Sequence, residues 1–136
     1  MRTILLAYGI TAAVFLVLDF LWLGTMVNAF YKPRMGALML EQPRLGIAVL
    51  FYAIYVVGVV AFAVLPALRD GDWTRALWGG ALFGLCAYAT YDMTNLATIK
   101  GFSAEVAVVD LIWGTVVSGV SATLATFGVS LLTRTG

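Results

Sequence analysis

Four apolar runs, each long enough to cross a bilayer, dictate most of what this sequence can fold into. A spanning helix needs about 20 mostly apolar residues, and the stretches at about 4–29, 45–68, 74–98 and 105–132 all meet that length. Short connections between them hold most of the charge. The expected fold class is therefore all-α: an integral membrane four-helix bundle with short loops, with residues 1–136 forming a single transmembrane domain. Hydrophobic residues make up 62% of the chain and charged residues 11%, against roughly 45–50% and about 25% in soluble proteins. A core this small cannot hide that excess, and lipid removes the need to.

Composition also excludes several classes of function. A net charge of +1 gives no basic field for nucleic acid. The chain has no histidine, which argues against bis-histidine haem, zinc and most neutral-pH proton shuttles. Cys86 is the single cysteine, so no disulfide can form within the chain; it reads as a packed or lipid-facing thiol. The N-terminal apolar run exceeds the 7–15 residues or so of a signal h-region and contains Asp19, so it is expected to remain as the first spanning helix.

Arg2, Arg69, Arg75 and Arg134 mark one membrane side, and Lys32, Arg34, Arg44 and Lys100 the other. Four cations face four, so the positive-inside rule does not orient the chain. Four helices put both termini on one side, and Arg2 beside a short tail points to the cytoplasm. The connections differ in kind. Arg69-Asp70-Gly71-Asp72-Trp73 is a tight polar turn, whereas Tyr31 to Arg44 is longer and holds Pro33 and Pro43. Residues 35–41 lie between those prolines and are apolar enough for an interfacial segment. Ser103 is a suitable N-cap for the fourth helix. Gly80 with Gly84, and Gly114 with Ser118, predict close packing of helices three and four.

Ionisable groups inside the membrane cost roughly 2.5–3.5 kcal/mol each at the helix centre, and this chain keeps three: Asp19, Asp92 and Asp110. At 1.5 Å per residue, all three lie about 8–12 Å below the helix ends on the side marked by Lys32 and Lys100, on three different helices. Their neighbours are also polar or amphipathic. Tyr88, Tyr91, Asp92 and Asn95 share one face of helix three, while Tyr52 and Tyr55 lie in the matching half of helix two. Asp19 with Trp22 and Asp110 with Trp113 repeat one Asp-x-x-Trp pattern. A structural role, with these carboxyls bonding tyrosines or cations to hold the bundle, is one reading. The other is a polar pocket formed by Asp19, Trp22, Tyr52, Tyr55, Tyr88, Tyr91, Asp92, Asn95, Asp110 and Trp113. In that pocket Lys32 and Arg34 would serve as counter-charges, or as partners for an anionic head group.

These same residues carry a family resemblance. Asp19-Phe20-Leu21-Trp22-Leu23-Gly24, Phe30-Tyr31-Lys32-Pro33-Arg34-Met35-Gly36, Thr90-Tyr91-Asp92-Met93-Thr94-Asn95-Leu96-Ala97-Thr98 and Asp110-Leu111-Ile112-Trp113-Gly114-Thr115 resemble the bacterial DUF2177 family of predicted membrane proteins. The resemblance runs over nearly the whole chain. It implies a four-helix protein of the bacterial inner membrane, and it implies no activity.

Three functions remain open on the sequence. An apolar body with a few convergent polar groups suits a pocket that binds or processes a lipid or amphipathic small molecule. Three carboxylates with Asn95 also suit a proton- or cation-coupled transporter, with oxygen ligands for a hard cation and no soft-metal site; four helices make a narrow path, so that reading requires a homo-oligomer. The third is a non-catalytic accessory membrane subunit whose polar face meets another protein. No nucleophile–base pair, phosphate loop or redox motif names a reaction or a cofactor.

Overall fold

The structure, a computed structural model, describes residues 1–39 and 44–134. Its helices stack end to end into four rods. The first runs Arg2–Leu38 and consists of α1 (Arg2–Met26), a π turn (Val27–Tyr31), α2 (Lys32–Met35) and a 3-10 turn (Gly36–Leu38). The second comprises α3 (Leu45–Val59), a π turn (Val60–Val64) and α4 (Leu65–Asp70). The third is α5 (Trp73–Thr98) and the fourth is α6 (Ala104–Arg134).

Both π turns have the same cause. Proline has no N–H, and its ring crowds the carbonyl four residues back. Ahead of Pro33 the Lys32 N–H reaches back to the Val27 carbonyl, and ahead of Pro66 the Leu65 N–H reaches to Val60. Each widened turn is a five-residue step that makes room for the ring while the helix continues. The sequence suggests a first helix ending near residue 29, before Pro33. Instead the rod passes through that proline to Leu38. Residues 35–38 of the expected interfacial segment are thus the tail of the first rod, and residues 40–41 lie outside the described residues.

Neighbouring rods run antiparallel. Between the first and fourth, Ile10 lies against Gly128, Asp19 meets Trp113, and Met35 meets Ser103. Between the third and fourth, Gly80 faces Ala122, Gly84 faces Ser118, and Tyr88 lies on Gly114. Lipid tails are as apolar as leucine, so close packing rather than water exclusion holds such rods together. The expected glycine contact is present: a Cβ added at Gly80 would sit 2.6 Å from the Ser118 carbonyl oxygen. Alanine and valine fill the centre, with Ala7, Val59, Ala63, Ala76, Val117 and Ala125 buried. The outer surface carries Phe20, Ile54, Phe62, Trp78 and Ile112, all exposed. Such a surface suits hydrocarbon rather than water.

The rods end on local signals. Gly71 adopts φ 66°, the left-handed conformation that closes α4. Asp72 then caps α5, accepting hydrogen bonds from the Thr74 N–H at 3.0 Å and the Thr74 hydroxyl at 2.6 Å. These two bonds hold the Asp72 carboxyl below the usual carboxylate range. Ser103 caps α6 as expected, its hydroxyl accepting from the Val106 N–H at 3.2 Å.

Among the described residues, three rods are long and apolar enough to cross a membrane: Arg2–Leu38, Leu45–Asp70 and Ala104–Thr133. The third rod, 26 residues long, falls short in apolarity. Its second half carries Thr90, Asp92, Thr94, Asn95 and Thr98, the polar group that makes this half of the bundle unusual.

Candidate functional site

The two Asp-x-x-Trp patterns meet each other. Because α1 and α6 are antiparallel, Asp19 lies level with Trp113, and Trp22 lies level with the turn that holds Asp110. The two indoles stack at the centre, ring centroids 4.3 Å apart and planes 7° from parallel. Trp113 Nε1 donates to Asp19 Oδ1 at 3.0 Å. Trp22 Nε1 donates to the Tyr31 hydroxyl at 3.0 Å, and Tyr31 in turn donates to Asp110 Oδ1. Tyr52 donates to the other oxygen of Asp19. Asp19 and Asp110 thus each receive one tyrosine, and the Trp113 indole and the Tyr31 hydroxyl bond the first and fourth rods crosswise. Asp19-Phe20-Leu21-Trp22 and Asp110-Leu111-Ile112-Trp113 therefore act as an inverted repeat about the stacked pair.

The pairing costs little because the donors are already placed. Asp19 is 6% exposed, and both of its oxygens are filled by rigid aromatic donors. A carboxylate that accepts such bonds gains about 1.5–3 kcal/mol from each. Its desolvation is thereby offset without a cation.

Asp92 is in the opposite condition. It is 0% exposed, and among the described residues its oxygens meet no polar group but the Asp110 carboxyl. Its place follows from the glycine register. The contacts of Gly84 with Ser118 and of Tyr88 with Gly114 put Asp92, one turn on, across from Asp110. The two carboxyls lie against each other. A buried carboxyl that meets only another carboxyl is costly, which makes this pair an unsettled spot in the cluster.

A cavity of about 330 Å³ opens beside the stacked indoles. Asp19, Trp22, Tyr52, Tyr88, Tyr91, Asp110 and Trp113 line it, together with Tyr31, Met35, Met39, Phe102 and Val106. A second cavity of about 300 Å³ is lined by Tyr55, Tyr88, Tyr91 and Asp110, with Phe51 and Ala87. Tyr88, Tyr91 and Asp110 thus border both. Volumes of about 300–1,000 Å³ are usual for small-molecule sites. The Tyr88 hydroxyl forms no hydrogen bond within the described residues, whereas Tyr55 shares one with Ser118 at 2.5 Å.

Other expected residues fall elsewhere. Asn95 lines neither cavity and sits beside the Tyr91 hydroxyl. Arg34 pairs with Glu105 at 2.7 Å and lies over the Phe30 ring at 4.0 Å. Lys32 is exposed, and among the described residues it forms no ion pair. Its direction follows from the π turn, which aims Tyr31 inward. Tyr31 is the residue sequence reasoning missed: an ended helix would have left it in a loop. Among the described residues, no group of three or more His, Cys, Asp or Glu side chains converges to hold a metal ion.

The family model for DUF2177, predicted membrane proteins, matches residues 4–127. The chain belongs to this family. The match takes in all four rods and every residue of the crosswise cluster. No curated protein and no solved structure matches the chain.

Proposed function

We propose that this DUF2177 protein binds a lipid or other amphipathic small molecule in the cavity beside the stacked tryptophans. The observation that carries the reading is the union of a ligand-sized cavity with a few convergent polar groups in an apolar wall. Met35, Met39, Val106 and Phe102 offer an apolar bed for a chain, and Asp110 with the unbonded Tyr88 hydroxyl offers polar contacts. In this reading the third rod also crosses the membrane, its polar half sheltered against α6. Both termini then lie on the cytoplasmic side of a bacterial inner membrane, with the cavity near the opposite face.

A second reading is favoured by one feature, the Asp92–Asp110 pair. Two facing carboxyls without a cation suit the uptake and release of a proton, as in proton-coupled transport by an oligomer.

Mass spectrometry of small molecules retained by gently purified protein separates the two. Val106→Phe fills the cavity from a buried wall position and leaves every polar group in place. A discrete retained molecule is expected in the wild type and absent in Val106→Phe. Identical retained species in both proteins, or none in either, would sink the pocket reading.

A further inference from the structure

The polar groups around the cavities are unequal in charge, and this bears on the class of molecule they accept. No basic side chain lines either cavity. Of the two cations that adjoin the lining residues Tyr31 and Met35, Arg34 is taken by Glu105 and Lys32 is exposed outside both cavities. The indole N–H groups and the Tyr31 and Tyr52 hydroxyls already donate within the cluster. An anionic head group entering here would meet Asp19 and Asp110, with no cation in the cavity walls to offset them. It would find few free donors.

Acceptors, by contrast, are in surplus. Asp110 has one oxygen bonded to Tyr31 and the other turned to a neighbour that is itself a carboxyl. Asp92, fully buried behind it, lines neither cavity and meets no polar group but the facing Asp110 carboxyl. Around them the walls are aromatic, with Tyr88 and Tyr91 at the junction of the two cavities and the stacked indoles beside them. Carboxylates set among aromatic faces are the combination that recognises an ammonium group, by charge, by hydrogen bonds and by cation–π attraction.

We infer that the cavity selects amphiphiles with a cationic amine head, seated against Asp110 with Asp92 behind it. The inference rests on the proposed pocket and names the chemistry of its ligand. A primary ammonium supplies three donors, which meet Asp110 in the cavity wall, while Asp92 adds its carboxyl from behind. Its apolar tail runs along the methionine-lined side of the cavity. The same head-group chemistry is found on an amine-bearing lipid or on a free amine.

The test uses the full chain carrying Trp73→Phe and Trp78→Phe, so that fluorescence reports the Trp22–Trp113 pair alone, in an uncharged maltoside detergent. The probes are n-dodecylamine, n-dodecanol, dodecanoate and ethylamine. Dodecylamine is expected to saturate with an affinity at least about tenfold above that of dodecanol or dodecanoate. Asp110→Asn and, separately, the buried isosteric Asp92→Asn should each remove most of that advantage. Ethylamine binding as tightly as dodecylamine would support the cationic class and assign the source to a free amine, while much weaker ethylamine binding assigns it to a lipid. Equal affinity for dodecylamine and dodecanol, or tighter binding of dodecanoate, would overturn the amine inference and leave the pocket standing. No saturable change with any twelve-carbon probe would overturn both. The wild-type series decides the matter even where an Asp→Asn variant does not fold.

Discussion

Where the third and fourth rods meet at Gly84 and Gly114, backbone touches backbone; one to two turns further along, at Asp92 and Asp110, the same rods carry facing carboxyls and border two cavities. In the first region small residues let the helices close, and alanine and valine fill what remains. In the second, large aromatics hold the rods through side-chain bonds and leave space between them. Close approach gives rigidity from dispersion contacts. The aromatic half buys an open volume and keeps its shape through directed hydrogen bonds. The difference teaches that one register, set by the glycines, also decides which polar groups face each other farther along.

The largest expected effect comes from breaking the closed half. In Gly84→Leu the side chain has nowhere to go, since even a Cβ would lie 2.6 Å from the Ser118 hydroxyl oxygen and closer still to the Gly114 carbonyl. Overpacking costs about 1–3 kcal/mol in ordinary cores. Here the obstacle is backbone, and a loss above about 3 kcal/mol is expected in detergent unfolding followed by helical circular dichroism. A wild-type-like unfolding midpoint would show that the rods are not held by this contact.

Next in size is Asp19→Ala in the open half. It strands the Trp113 N–H and the Tyr52 hydroxyl, two donors now bonded to the carboxylate. The expected loss is about 2–4 kcal/mol. The stacked indoles should lose their ordered geometry at the same time, seen as weakening of the exciton couplet in circular dichroism. A stable variant with an intact couplet would mean that the tryptophans stack without help from Asp19.

These two halves were unequally legible in the sequence. Gly80, Gly84, Gly114 and Ser118 announce close helix packing by spacing alone, and Ser103 announces its cap. The shared face of Asp19 and Trp22, and of Asp110 and Trp113, is likewise a matter of helical period. Which aspartate meets which tryptophan is not, because it depends on the antiparallel register of two rods about ninety residues apart. Pro33 misled most. A proline usually marks a helix end, and only the π turn that precedes it lets the rod continue and carry Tyr31 to Asp110. The charges of Lys32 and Arg34 looked like natural partners for buried aspartates. Rigid aromatic donors meet Asp19 and Asp110, Glu105 pairs Arg34, and Lys32 is exposed.

The smallest effect lies at the turn that ends the closed half. Asp72 is fully exposed, and its depressed carboxyl contributes stability only in the ionised form. The folded value is below the unfolded one, so the contribution is complete above the unfolded value of about 3.9 and is lost as pH falls through the folded one. Asp72→Asn should therefore show a slight deficit near neutrality that shrinks on acidification below about pH 4. A deficit that grows with acid would reverse the sign of this argument.

The open half is built around a volume, and its central test is whether something fills that volume. Anything bound to the folded state adds RT ln(1 + [L]/Kd) to stability. Thermal unfolding before and after exhaustive detergent exchange reads this term directly, in the wild type and in Val106→Phe, whose side chain takes the ligand's place. The account predicts that stripping lowers the wild-type midpoint and leaves Val106→Phe unchanged. An equal fall in both would show loss of surrounding lipid alone, and no fall in either would show an unfilled cavity; each of these results would contradict it.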